Sequence, residues 1–253
     1  MALRIRQFLA SALVIGAIAL PSAASALDDS QKAEFGAFIR DYLLANPELV
    51  EEMQQALDIK KQTELAKFAK AAIGSNADAI FNAPTDVVIG NPDGDVTIVE
   101  FFDYNCGFCK RAMSDMSAIV EKDKNVRFVL KEFPILGPDS LAAHRVSMAF
   151  KAVLPEKYWE FHLALMGGDV RADEAQAITI ATSLGADEAQ LRQAMTAPTI
   201  EAAIRETYEL ADALGMSGTP SYVVGDEAVF GAVGVDALME KITNVRACKS
   251  TVC

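Results

Sequence analysis

The chain has 253 residues, with 23 Lys and Arg against 35 Asp and Glu, a formal net charge of −12. This acidity argues against nucleic acid and anionic lipid as partners; it suits a solvated surface and names no substrate. The length exceeds one domain of roughly 100–150 residues, so a core domain with an added module is expected.

Residues 1–26 read as an export signal. Arg4 and Arg6 make a positive start, Phe8 to Leu20 are apolar, and Pro21 to Ala26 end in the small-x-small pattern of a cleavage site. The apolar run falls short of the ~20 residues that cross a bilayer, so no membrane span is expected in the mature chain. No cysteine lies near the cut to carry a lipid. Cleavage near Ala26 leaves 21 basic and 35 acidic residues, a charge of −14. An exported, periplasmic chain lies in an oxidising compartment, where its four cysteines can pair.

Residues 27–82 read as a separate helical module. Phe35, Phe38, Ile39 and Leu43 recur at helical spacing, in a helix ending near Ala45. Asn46 reads as an N-cap and Pro47 as the first residue of a second helix. That helix places Val50, Met53 and Leu57 on one stripe, then a polar stretch from Asp58 to Glu64, then Leu65, Phe68 and Ala72. Two slender helices cannot bury both stripes alone. They pack on the main domain or on copies of themselves.

The main domain is placed at 83–253. Short strands are expected at Val87–Ile89 and Val126–Phe133, with a strand buried on both faces at Val96–Phe102. Glu100 interrupts this strand, and a carboxylate there is costly unless it is used or satisfied. Helices follow at Leu141–Val153, Glu156–Met166, Ala172–Leu184 and Ile200–Leu214, in an insertion spanning about 134–215. Strands return at Ser221–Val224 and Ala228–Phe230, and a last helix starts near Val235. The class is α/β.

Cys106-Gly107-Phe108-Cys109 joins the buried strand to a helix. Cysteines at this spacing can form a reducible disulfide, and the first sulfur meets the positive end of the helix, which favours its thiolate. The other reading of a CxxC pair is half a zinc site, which needs four ligands. Cys248 and Cys253 are distant and spaced differently, and His144 and His162 form no cluster, so no metal site is expected and both histidines read as ordinary helix residues. Cys248 and Cys253, just past the last helix, are expected to form a structural disulfide. A second redox or metal pair is the alternative.

These residues resemble the thioredoxin superfamily, and within it the DsbA-like proteins. The resemblance covers about 84–246 and implies a thioredoxin fold with a helical insertion. Glu100, six residues before Cys106, stands where the family carries a buried acid for proton transfer; a carboxylate satisfied by backbone is the plainer alternative. Gly218-Thr219-Pro220 stands where the family has its cis-proline loop facing the motif, with an ordinary trans proline as the alternative.

The segment Phe38 to Glu48 is similar to the N-terminal module of the ScsC branch, linked to suppression of copper sensitivity, whose full-length members are trimeric disulfide isomerases. Gly107-Phe108 looks like the dipeptide of the isomerase DsbC and departs from the Pro-His of the oxidase DsbA.

The resemblance implies that Cys106 attacks and Cys109 resolves, with Glu100 moving the proton of Cys109. Pro220 and Thr219 would present backbone to an extended substrate, with Gly107 and Phe108 beside it. The expected activity is a cofactor-free disulfide isomerase acting on misoxidised exported proteins. It is expected as a homotrimer with a membrane redox partner, and the alternatives are a monomeric dithiol oxidase or a copper(I)-binding protein using the same thiolates.

Overall fold

The computed structural model describes residues 28–253, so the expected export signal lies outside them. The chain divides into two compact units between Leu57 and Asp58, inside one long helix.

In the first unit, α1 (Asp29–Ala45) opens on a capping box: Asp28 Oδ1 accepts from Gln31 N at 2.8 Å, and Gln31 Oε1 accepts from Asp28 N at 3.1 Å. No residue of α1 is buried; Phe38 is 64 % exposed and Leu44 65 %. The next helix, α2, begins at Glu48 and runs to Ser75. Asn46 is therefore not its N-cap. Its backbone N–H and side-chain amide instead both donate to Tyr42 O, the amide at 2.8 Å, and close the C-terminus of α1.

The second unit takes the remainder of α2 and the short α3 (Ala77–Phe81), then β1 (Val87–Gly90) and β2 (Val96–Phe102). The first domain helix α4 (Gly107–Lys122) leads to β3 (Val126–Glu132). The helical insertion comprises α5 (Pro138–Val153), α6 (Tyr158–Gly167), α7 (Glu174–Ser183), α8 (Glu188–Ala194) and α9 (Pro198–Ala213). The chain closes with β4 (Ser221–Val224), β5 (Glu227–Phe230) and α10 (Val235–Cys248).

The five strands form one sheet in the order β1-β3-β2-β4-β5, with only β2 and β3 parallel. Both faces are covered, which explains the apolar run in β2. Even-numbered residues of β2 and β3 (Ile98, Phe102, Phe128, Leu130) face one core with α4, α10 and the insertion. Odd-numbered Val99, Phe101 and Val129 face a second core with Leu210, Leu214, Ile80, and Ala69 and Ile73 of α2. Ala69, Ile73 and Ile80, within the stretch read by pattern as part of the N-terminal module, pack into this core. The alternation puts Glu100 on the same face as Cys109, and Glu132 toward the insertion. Among the described residues no helix is long and apolar enough to cross a membrane.

Candidate active site

Cys106 is the N-cap of α4, in extended backbone (φ −81°, ψ 114°), so its sulfur lies at the helix start beside unpaired N–H groups. Both cysteines are free and buried, Cys106 6 % and Cys109 1 % exposed. Cys106 is more covered than its position alone implies, because the loop before β4 lies against it. Its Sγ donates to Thr219 O at 3.0 Å, and the Thr219–Pro220 bond is cis. The fold thus brings Cys106, Cys109, Thr219 and Pro220, separated by more than a hundred residues, to one point.

The two thiols have opposite acidities. Hydrogen bonds from the Cys109 thiol, then from the Thr219 side chain and the Cys109 and Phe108 backbone, outweigh burial and pull Cys106 down to about 5. Thr219 Oγ1 is buried beside this sulfur without a hydrogen-bond partner. Burial, the hydrogen bond to Cys106 and the negative field of Glu100 push Cys109 far up. Cys106 is the sulfur ready to attack at neutral pH; Cys109 holds its proton.

Glu100, 3 % exposed, lies in register with Leu130 on one side and Tyr222 on the other. Burial first, then Asp115 and Cys106, push its carboxyl up to about 8. One carboxyl oxygen has no partner. Near neutral pH this acid is mostly protonated with an ionised fraction; the ionised form can take a proton from the Cys109 thiol, and the neutral form can return one.

The outer side of the motif is open. A Cβ added at Gly107 would meet nothing within 4 Å, and Phe108 is 58 % exposed with the Arg111 guanidinium 4.3 Å from its ring centre. At the chain end, Cys248 and Cys253 are joined across a Cα–Cα distance of 6.1 Å, away from the motif. Thr251 N, inside this small loop, donates to Asp226 at 3.0 Å, and Asp226 also receives Lys70 of α2 at 2.8 Å.

Sequence reading passed over the residues behind the motif. His144 and His162 are both buried, with Tyr104, Ser147 and Tyr158, around Glu132. The signal was Asp103-Tyr104-Asn105, three polar residues between a buried strand and a helix, each needing a partner.

The profile of the DSBA-like thioredoxin domain matches residues 97–243. The chain belongs to the DsbA-like thioredoxin family. The profile of the N-terminal domain of the copper resistance protein ScsC matches residues 31–64 of this DsbA-like chain. A thioredoxin-like oxidoreductase from Silicibacter pomeroyi is 44 % identical, with a TM-score of 0.65, over 68 % of this chain and 98 % of that one. A linker-deletion mutant of Proteus mirabilis ScsC is 27 % identical with a TM-score of 0.66, covering 89 % and 99 %. The disulfide bond formation protein D of Bacillus subtilis is 26 % identical over 65 % of this chain and 80 % of its own. The chain also matches a Na(+)/H(+) antiporter of Salinispora arenicola at 25 % identity over 64 % of its residues, spanning about a quarter (25 %) of that relative's length.

Proposed function

We propose that this DsbA-like protein is an exported thiol–disulfide isomerase that works as an oligomer, its Cys106 thiolate attacking wrong disulfides in other exported proteins. The attack forms a mixed disulfide between Cys106 and one substrate sulfur, and the other substrate sulfur leaves as a thiolate. In isomerisation a second substrate thiolate displaces Cys106, so no electrons are gained or lost overall. In net reduction, Glu100 in its ionised form takes the proton of Cys109, whose sulfur then displaces the substrate thiolate and closes the Cys106–Cys109 disulfide. Thr219 backbone beside the open face at Gly107 and Phe108 offers an extended substrate segment a place to pair.

One observation carries the isomerase reading over the oxidase one. The stretch similar to the ScsC N-terminal domain exposes Phe35, Phe38, Ile39 and Tyr42 along one face of α1, and Val50 and Met53 on α2. Such a stripe is a contact surface for copies of the chain. Several Cys106 sites in one assembly hold a substrate at one protomer while another attacks it, which raises the local concentration of thiolate. The copper association in the name of the ScsC relatives supports a second reading less well: the two thiols suit Cu(I), but among the described residues no group of three His, Cys, Asp or Glu stands ready for a metal.

Refolding of scrambled ribonuclease by the full mature chain, with its mass measured by light scattering, tests the proposal. Recovery of ribonuclease activity by an oligomer is expected. A monomeric mass at micromolar concentration with fast dithiol oxidation in its place supports the oxidase.

A further inference from the structure

The three residues before the nucleophile are all tied to the helical insertion. Asp103 Oδ1 accepts from Ser140 Oγ at 2.8 Å and from Asn105 N at 2.8 Å, and Oδ2 accepts from Leu136 N at 2.9 Å. The Asn105 side chain exchanges two hydrogen bonds with Ala172 backbone, each 2.8 Å. Tyr104, fully buried, donates its backbone N–H to His144 Nε2 at 3.3 Å.

We propose that the buried Glu132–His144 pair is a positioning device for Cys106, fixing the His144 proton on Nδ1 and leaving Nε2 bare so that the ring accepts the Tyr104 N–H and pins the loop that presents the nucleophile. This rests on the assignment of Cys106 as the attacking sulfur. Glu132 Oε1 is occupied by two donors, Ser147 Oγ at 2.6 Å and Tyr158 OH at 2.9 Å. Its Oε2 faces His144 Nδ1, so Nδ1 carries the proton and donates. A proton on Nε2 as well would confront the Tyr104 N–H. Tyr104 itself lies against the ring, 4.8 Å between centres, with its hydroxyl held protonated by burial, and two other titratable side chains face it. Asp103 Oδ1 lies 4.0 Å from Nε2 but already has its two donors. His162, from α6, sits around the shared Tyr104 hydroxyl, 3.2 Å from its Nδ1, and burial pushes it down to about 4, so it adds no positive charge at neutral pH.

The consequence reaches the sulfur through the backbone. Cys106 N donates to Asp103 O at 3.0 Å, and the place of Sγ against Thr219 follows from where residues 103–105 are held. The insertion thus helps to set the nucleophile's surroundings from behind the motif.

The pH profile of Cys106 alkylation by iodoacetamide, mapped by mass spectrometry, tests this. In wild-type protein Cys106 reacts before Cys109; labelling of Cys109 first overturns the attacking-sulfur assignment, a separate failure. His144→Phe keeps a ring and removes the acceptor. Its Cys106 midpoint should rise by about one pH unit, a roughly tenfold loss of thiolate below the midpoint. His144→Gln, which returns an acceptor near Nε2, should recover most of it. A His144→Phe protein with native circular dichroism and an unchanged profile overturns the proposal. If that variant does not fold, nitrogen-15 spectra of the wild-type imidazole decide. The expected state is a protonated Nδ1 and a bare Nε2; an Nε2–H tautomer or a doubly protonated ring at pH 7 overturns it.

Discussion

At the scale of single residues, the site works by setting neighbouring groups to different acidities. Cys106 is pulled down to about 5 and Cys109 is pushed far up, so Cys106→Ser should remove disulfide exchange while Cys109→Ser accumulates mixed disulfides with substrate. Trapping on thiol-reactive peptides, read by mass spectrometry, checks both. Glu100 is raised from 4.5 in the open chain to about 8 in the fold. The folded state therefore prefers the neutral acid, and stability attributable to Glu100 is present below about 4.5 and lost as pH rises through about 8. Glu100→Gln should gain on wild type across that window, at roughly 1.4 kcal/mol for each pH unit as an upper bound, and also slow release by Cys109. Urea midpoints at pH 5, 7 and 9 measure the first effect; equal gains at all three pH values refute it.

At the scale of elements, α2 shows what a pattern can and cannot tell. Its apolar stripe is legible in the sequence, but which end finds a core is not. Phe68 is 69 % exposed, whereas the smaller Ala69 and Ile73 lie in the second core, because only that side of the helix reaches Val99, Phe101 and Leu214. Ile73→Ala should cost about 2–4 kcal/mol in chemical denaturation, the usual cost of a buried aliphatic truncation. Phe38→Ser, on α1, should leave the domain's denaturation midpoint unchanged and lower the assembly's mass in light scattering; an unchanged mass removes the role given to that stripe. Strand β2 was legible to the residue because a two-sided burial leaves one unbroken apolar run. Helices α3 and α8 were not, since five and seven residues carry too few turns for a period to show. The redox pair and the loop at Pro220 were legible as local motifs. The Glu132–His144 contact joins two elements through space, and nothing local marks either residue.

At the scale of the whole molecule, the reduced and oxidised proteins should differ in stability. Only the dithiol form gains from a Cys106 thiolate, a contribution fully present above the ordinary thiol pKa and lost as pH falls through about 5. At pH 7 the reduced protein should melt above the oxidised one, with the gap closing toward pH 5; scanning calorimetry of both forms measures it. The molecule also carries a disulfide of its own, and a protein that attacks disulfides must spare itself. Cys248 is the last residue of α10, at the negative end of a helix, whereas Cys106 sits at the positive start of one. A sulfur at the negative end makes a reluctant leaving group, and a sulfur five residues away recloses the ring before a foreign thiolate can be resolved. The polarity of two helices thus sets the two cysteine pairs apart: one pair begins at the positive start of a helix, the other at the negative end of one.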